Sequence, residues 1–190
     1  MRKSNQEAAE TRERIVEAAA AEFCRNGISA TGLSDLMAAA GLTHGGFYRH
    51  FASKDQLVAE ACVTAVDSVA TMFEEALVRH GKSNGLKAAA ASYLSARHRD
   101  GPSDGCPFAA LASELVRADE ATRAKATEGL KRIVNLLAGG YAGLRPDSAK
   151  RQALVALSTM VGALTLARLV TEPKLSDVLL RDAAKHVGAP

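Results

Sequence analysis

Residues 31–54 constrain the fold of this chain more than any other stretch. Apolar residues recur at helical spacing in its first half, at Leu33, Leu36 and Met37. Gly41 then ends this helix, because glycine readily adopts the left-handed conformation that follows a helix C-terminus. Thr43 can cap a second short helix over residues 44–50. Two helices joined by so short a turn form a helix-turn-helix, whose second helix can enter the DNA major groove.

The predicted second helix carries two kinds of side chain. Donors suited to phosphate groups stand at Tyr48, Arg49, His50 and Lys54. Phe47 and Phe51, four residues apart, instead predict anchors in a hydrophobic core. Gly45 and Gly46 are poor helix formers, so their place near the helix start favours close approach of the backbone to a ligand surface. Taken singly, each polar residue would be an ordinary surface residue; their joint spacing favours a functional role.

This segment and its flanks resemble the TetR family of bacterial transcriptional repressors. The residues that carry the resemblance cover about the first third of the chain: Thr11-Arg12, Ile15, Ala18, Ala19, Phe23, Gly27, Thr31, Leu36, Ala40-Gly41-Leu42, Gly46-Phe47-Tyr48-Arg49-His50-Phe51, Ser53-Lys54-Asp55 and Leu57. By that resemblance, the residues that touch DNA are Thr31, Thr43, His44, Gly45, Tyr48, His50 and Lys54. His44 departs from the small or basic residue that is commoner in the family, which leaves the base preference open.

Composition favours helices throughout the 190 residues, since alanine is abundant, aromatic residues make up 4% and tryptophan is absent. Periodicity predicts further helices at about residues 11–25, 54–79, 86–99, 107–116, 121–137, 147–170 and 175–187, with a mobile tail at 1–10 and loops at 80–85 and 100–105. We therefore predict an all-α chain of two domains. Residues 1–54 would form a three-helix DNA-binding domain, and residues 55–190 a helical ligand-binding and dimerisation domain.

Charge and cysteine content narrow the function only a little. The net charge is +3, and residues 1–54 carry seven basic and six acidic side chains, so charge neither favours nor opposes DNA binding. Three widely spaced cysteines, Cys24, Cys62 and Cys106, predict neither a disulfide framework nor a zinc site. We recognise no signal peptide and no long uninterrupted apolar run, and we expect a cytoplasmic protein without membrane span, metal or cofactor.

Cys106 is the most informative residue of the second half. Pro107 suits the first position of a helix, which places the thiol at the N-cap, where the helix dipole would lower its pKa and raise its reactivity. Gly105-Cys106-Pro107-Phe108, with Leu111 and Glu114-Leu115, resembles the C-terminal half of a TetR subgroup that includes electrophile-responsive repressors. The alternative is a buried, inert side chain in a ligand-domain helix.

A ligand pocket is expected between the helices of the second half. Its candidate lining residues are Met72, Phe73, Tyr93, His98, Cys106, Phe108 and Met160. The alternative for most of them is an ordinary place in the core, because methionine and phenylalanine at helical spacing commonly fill interiors.

The resemblance also implies a homodimer. In it, the last two long helices pair with their copies, so that two recognition helices reach successive major grooves of a palindromic double-stranded operator. We predict a repressor that is released from this operator by a small apolar ligand, or by an electrophile or oxidant that modifies Cys106. The alternative is a helical small-molecule binding protein without DNA function. We predict no enzymatic activity, because no catalytic constellation is recognisable.

Overall fold

The computed structural model describes residues 2–188, and the side chains of residues 2–4, 82, 83 and 104 lie outside that description. The α-helices are α1 (Arg2–Asn26), α2 (Leu33–Ala39), α3 (Lys54–Tyr93), α4 (Ala96–Asp100), α5 (Pro107–Ala110), α6 (Ala112–Leu115), α7 (Glu120–Ala138), α8 (Pro146–Leu169) and α9 (Pro173–Val187). Short 3-10 helices lie at His44–Arg49 and Pro102–Asp104. No strand occurs between residues 2 and 188, and the predicted all-α fold is confirmed.

α1 begins at Arg2, much earlier than the predicted start near residue 11. The predicted mobile tail is therefore wrong over residues 2–10. This stretch holds strong helix formers and no glycine or proline. It also gains a hydrogen bond from Gln6 Nε2 to Glu10 Oε1 (3.0 Å), one helical turn apart. The local preference for helix outweighs the polarity that suggested a tail.

A Schellman motif joins α2 to the first 3-10 helix. Gly41 has a φ of 72°, and its N–H donates to Ala38 O (2.9 Å). The Leu42 N–H donates to Met37 O (2.8 Å) and completes the motif. The helix that follows is a 3-10 helix where an α-helix was predicted, because six residues that include two glycines favour the tighter i to i+3 bonding of a short piece.

α3 runs from Lys54 to Tyr93 across the loop that was predicted at residues 80–85. The loop is reduced to a kink at Gly81, whose φ of 67° and ψ of 174° lie outside the helical region. The chain is helical on both sides of this glycine, so the helix expected at residues 86–99 is, as far as Tyr93, the second arm of α3. α4 then starts after its N-cap, Ser95.

The buried apolar side chains form two clusters. The N-terminal core joins α1, α2, the first 3-10 helix and the first turns of α3 as far as Ala65, and it also includes Leu111 and Leu115. The C-terminal core joins the rest of α3 to α7, α8 and α9, and it includes Cys106. The division of the chain into two domains at residue 54 stays a prediction.

Within residues 2–188, two helices meet the length and hydropathy of a membrane span, α3 over Lys54–Gly81 and α8 over Pro146–Leu169. This corrects the expectation that no stretch would meet them. Core helices of soluble proteins pass the same test, and 50% and 39% of the two apolar windows are buried inside the fold. Burial in the two cores therefore accounts for much of the apolar character of both helices, and the exposed face of α8 is considered below.

Candidate nucleic-acid interface

The first 3-10 helix has one buried side and one exposed side. Phe47 is fully buried and stacks on Phe51, with the ring centroids 5.6 Å apart. Tyr48 is 69% exposed, and its ring meets the Phe47 ring edge-on at 5.1 Å. We use the name recognition surface for five residues around this helix that are predicted to touch DNA: Thr43, His44, Gly45 and Tyr48, which are exposed, and His50, which is half-buried. Two aromatic anchors thus fix a backbone that presents these five residues.

The two glycines of this helix differ in their surroundings. A Cβ on Gly46 would lie 3.5 Å from Met37 Cε, so this glycine packs closely on α2. A Cβ on Gly45 would meet nothing within 4 Å among the described residues outside its own helix. Open space beside Gly45, and not beside Gly46, therefore fits the expectation that the backbone approaches a ligand at the helix start.

Ser34, which the sequence reasoning missed, adjoins the recognition surface. Its hydroxyl lies 3.3 Å from His44 Nδ1, and the tautomer of the ring decides which group donates. Both side chains are exposed, so either can exchange this contact for one with DNA. A hydroxyl in the first turn of α2 was the signal available in the sequence.

Thr31 and Lys54 hold the loop between α1 and α2. Thr31 is buried, and its Oγ1 donates to Gly27 O (2.6 Å). Lys54 Nζ donates to Ile28 O (2.6 Å) and to Thr31 O (2.7 Å). These bonds give both residues a structural role that sequence spacing did not predict. Their contact with DNA stays a prediction.

Replacing Lys54 with methionine should lower the free energy of unfolding by about 1.5–3 kcal/mol, since two charge-assisted hydrogen bonds are lost and two loop carbonyls lose their partner. Urea denaturation measures this change. Lys125→Met is the matched control, because Lys125 is exposed and pairs only with Glu128 one turn away among the described residues. Equal unfolding free energies for the two variants would contradict the structural role of Lys54.

The arginines near the motif differ in what they already contact. Arg49 is exposed at the end of the 3-10 helix. Arg12 Nη2 pairs with Glu60 Oε1 (2.5 Å), and its guanidinium lies 4.6 Å from the centroid of the Phe51 ring. Arg12 therefore braces α1 against α3 and the aromatic anchors, whereas Arg49 supplies a positive charge beside the recognition surface.

The residues predicted to line a ligand pocket come together in the C-terminal half. Four are fully buried in the C-terminal core: Phe73, Tyr93, Cys106 and Met160. Met72 and Phe108 pack against that core. The Tyr93 ring stacks on Phe73 (5.6 Å between centroids) and meets the His98 ring edge-on (4.7 Å). The set fills the core in this structure, and its role in binding a ligand stays a prediction.

An open groove of about 930 Å³ lies elsewhere, between α1, α3 and the start of α7. Its polar lining includes Arg12, Glu60, Asp119 and Lys125. None of the seven predicted pocket residues lines this groove. The groove and the predicted pocket are therefore separate places in the molecule.

Cys106 is fully buried, and burial raises the pKa of its thiol above the usual value. The Tyr93 hydroxyl and the N–H groups of Ala109 and Phe108 act in the opposite direction, but burial has the larger effect. The first N–H groups of α5 thus act in the expected direction, but the expectation of a lowered pKa is wrong, because burial outweighs them. α5 has only four residues, and removing the thiol from water disfavours the thiolate. A sensing role for Cys106 stays a prediction, and it requires this core to open.

The other two cysteines are buried as well. Burial raises the pKa of Cys24 from 9.0 to about 12 and that of Cys62 from 9.0 to about 11. Above about pH 9 the unfolded chain releases protons that the folded chain keeps. The folded state then binds more protons than the unfolded state, so stability must fall as the pH rises.

We expect the free energy of unfolding to decrease above about pH 9 by up to about 1.4 kcal/mol per pH unit for each buried thiol. Urea unfolding between about pH 8 and about pH 10.5 measures the slope. A Cys24→Ala, Cys62→Ala double variant should show a clearly smaller slope, because it lacks two of these protons. Identical slopes in the two proteins would contradict the prediction.

Arg168 is a polar feature of the C-terminal half that the sequence did not predict. Its Nη2 donates to His98 O (2.7 Å) and its Nε to Arg99 O (3.1 Å), which ties α8 to α4. Burial lowers the pKa of Arg168, while the neighbouring Tyr93 and Cys106 raise it. An arginine inside the most apolar stretch of the chain was the signal available in the sequence.

Two family models match the chain. The model of bacterial regulatory proteins, tetR family, matches residues 15–61, which include the helix-turn-helix and the recognition surface. The model of the transcriptional regulator LmrA/YxaF-like C-terminal domain matches residues 84–186, which include Cys106. Each half of the chain therefore has its own match.

Individual proteins resemble the chain over most of its length. The uncharacterized HTH-type transcriptional regulator Rv0196 of Mycobacterium tuberculosis is 32% identical over 166 residues, which cover 83% of this chain and 84% of that protein. A TetR transcriptional regulator from Chloroflexus aurantiacus has a TM-score of 0.78 at 29% identity, covering 96% of this chain and 94% of the other. The reduced form of Escherichia coli NemR shares the fold, with a TM-score of 0.79 at 22% identity over 94% of this chain and 95% of the other.

Proposed function

The chain belongs to the TetR family of DNA-binding transcriptional regulators, as its sequence suggested, and we propose that it is a cytoplasmic, homodimeric repressor. It occupies a palindromic double-stranded operator and leaves it when a small apolar ligand binds to the C-terminal half or when Cys106 is modified. We propose no catalytic activity, since the family consists of regulators and not of enzymes.

The observation that carries the DNA-binding part of this proposal is the two-sided 3-10 helix at His44–Arg49. Its aromatic anchors lie in the N-terminal core, while the recognition surface keeps hydroxyl, imidazole and backbone groups accessible. Such groups contact base edges and phosphates when a helix lies in the major groove. Tyr48, whose large side chain is 69% exposed, is the residue we expect to contribute most.

Thr31 and Lys54 support the recognition surface through the loop between α1 and α2. An ammonium group has three donors, and Lys54 uses two of them for the carbonyls of Ile28 and Thr31. The third donor is left for a phosphate. The Thr31 hydroxyl donates its one proton to Gly27 O, so it contacts a phosphate only by exchanging that bond. We propose that both residues contact the DNA backbone and do not read bases.

Selection of genomic DNA fragments by the purified protein tests this proposal, with the Tyr48→Ala variant in parallel. We expect enrichment of one palindromic site by the wild-type protein and loss of that enrichment in the variant. Absence of any enriched site would contradict the proposal and favour a helical small-molecule binding protein without DNA function.

The proposal of a homodimer is supported by an exposed apolar face on the last two helices. Among the side chains that the structure describes, eleven large hydrophobic ones are exposed, and six of them lie there: Leu154, Val155, Leu166, Leu169, Leu175 and Val178. In α8 the first four occur at helical spacing on one side of the helix, opposite the side that fills the C-terminal core. Pairing of α8 and α9 with their copies would bury this face and generate a two-fold axis.

Effector control is the remaining part of the proposal. The seven predicted pocket residues lie in or against the C-terminal core, around Tyr93 and Cys106. A ligand can enter such a packed core only if it favours a conformation with more open helices, and its effect equals its preference for that conformation. The long α3, which contributes to both cores, provides a mechanical connection between the effector region and the helix-turn-helix.

A further inference from the structure

Residues 105–115, which we call the bridging segment, belong to both hydrophobic cores. Cys106 is fully buried in the C-terminal core, where Phe108 packs against it. Leu111 and Leu115, only a few residues further on, are buried in the N-terminal core. The segment is therefore a short covalent path from the effector region to the helix-turn-helix, separate from the path along α3.

Glu114 connects the bridging segment to the loop between α1 and α2. Its Oε1 accepts a hydrogen bond from the Ile28 N–H (2.9 Å), and its Oε2 accepts one from the Ser29 N–H (2.7 Å). Burial alone would raise the pKa of Glu114, but the hydrogen bonds from Ser29 and Ile28 outweigh it, and the pKa is lowered. A carboxylate with two backbone donors is a strong and geometrically specific anchor.

The loop has room for this carboxylate because residue 27 is a glycine. Gly27 has a φ of 86°, and a Cβ there would lie 2.8 Å from Glu114 Oε1. On its other side the loop is held by Lys54, which binds the carbonyls of Ile28 and Thr31. The peptide groups at Ile28 are thus held by Glu114 through the N–H and by Lys54 through the carbonyl. Because the loop is held on both sides, the start of α2 has little freedom to move.

A second set of contacts joins the end of α1 to the start of the bridging segment. The Cys24 thiol donates to Gly105 O (3.5 Å). Arg25 donates to Ser103 Oγ through Nε (3.0 Å) and Nη2 (2.7 Å). Displacement of Cys106 therefore acts on two places. One is the end of α1, through Cys24 and Arg25, and the other is the loop between α1 and α2, through Glu114.

We infer that Glu114 is the positioning residue through which a change at Cys106 reaches the helix-turn-helix. This inference rests on the proposed effector-controlled DNA binding. When an effector displaces the first half of the bridging segment, the carboxylate moves away from the Ile28 and Ser29 amides. The α1–α2 loop then loses its anchor on the N–H side, and the recognition surface loses its fixed orientation for operator DNA.

Hydrogen exchange of the Ile28 and Ser29 amides tests the path without DNA or effector. Cys106→Met, which enlarges a fully buried side chain, takes the place of the unknown effector. We expect exchange at these two amides to become about tenfold faster or more in Cys106→Met and in Glu114→Gln. Ala153→Val is the matched control, because Ala153 is fully buried in the same core outside the bridging segment. Unchanged exchange in Cys106→Met would overturn the inference.

A double-mutant cycle then tests the path in DNA binding, with the operator found by fragment selection. Cys106→Met should weaken operator binding about tenfold in the wild-type background but less than about twofold in the Glu114→Gln background. Ala153→Val should change the operator affinity by the same factor in the wild-type and in the Glu114→Gln background. Independent effects of Cys106→Met and Glu114→Gln would contradict a path through Glu114.

The two tests separate this inference from the proposed function. If the wild-type protein selects no operator, DNA regulation fails, and the exchange measurement alone decides whether Glu114 transmits a change at Cys106. If Cys106→Met does not fold, Cys106→Val provides a smaller enlargement with the same expected direction. If Glu114 only stabilises the loop and does not transmit a change at Cys106, exchange at the Ile28 and Ser29 amides will be normal in Cys106→Met and in Cys106→Val.

Discussion

Replacing Leu166 with glutamate should leave the protein monomeric at micromolar concentration and weaken operator binding about 100-fold or more. Leu166 is 48% exposed on the apolar face of α8. In a two-fold symmetric interface each substitution occurs twice, so two carboxylates would lose hydration where apolar side chains meet. A monomer can place only one recognition surface on a half-site, and the gain from linking two half-sites is lost. Analytical ultracentrifugation and fluorescence anisotropy with labelled operator measure the two effects.

Leu144→Glu is the matched control for this variant. Leu144 is 46% exposed, nearly the same as Leu166, but it precedes α8 and is not one of the six residues of the apolar face. We expect this control to remain dimeric and to bind DNA normally. A Leu166→Glu protein that stays dimeric would show that subunits associate through another surface.

Replacing Phe47 with alanine should lower the free energy of unfolding by about 3–5 kcal/mol and abolish operator binding. Phe47 is fully buried and contacts the rings of both Phe51 and Tyr48. Its removal leaves a cavity between the 3-10 helix and the rest of the N-terminal core, so the short helix loses its main anchor. Urea denaturation measures the stability, and anisotropy measures the operator affinity.

The comparison for this variant is Tyr48→Ala, one residue further along the same helix. Tyr48 is 69% exposed, so its truncation should change the free energy of unfolding by less than about 1 kcal/mol. The two variants thus separate the buried side of the helix from the exposed side. Equal losses of stability in both would show that the assignment of the two sides is wrong.

The helix-turn-helix could be predicted from the sequence because its determinants are local. Helical spacing, the left-handed Gly41 and the two phenylalanines four residues apart are all properties of neighbouring residues. α1 starts earlier than the polarity of residues 2–10 predicts, because the helix propensity of these residues outweighs their polarity. The glycines and the asparagine of residues 80–85 predict a loop, but in the structure Gly81 forms a kink within α3.

Long-range contacts account for what the sequence did not reveal. Lys54 and Glu114 lie far apart in the chain, yet both bind the α1–α2 loop, and no spacing rule connects them. The predicted shift of the Cys106 pKa has the wrong direction, because that direction depends on burial by residues remote in sequence. The residue types at these positions are readable from the sequence, but the groups that Lys54, Glu114 and Cys106 contact are brought together only by the fold.

The most direct test of sequence-specific DNA binding is the affinity of the wild-type and Tyr48→Ala proteins for the selected operator and for an unrelated duplex, at one fixed salt concentration. We expect the wild-type protein to prefer the operator and the variant to bind it at least about tenfold more weakly, since one lost contact per subunit costs about 1–3 kcal/mol. The free energy of unfolding of the variant should change by less than about 1 kcal/mol, so a loss of affinity does not come from unfolding. Equal operator affinity of the two proteins, or no preference for the operator over the unrelated duplex, would contradict DNA reading by the recognition surface.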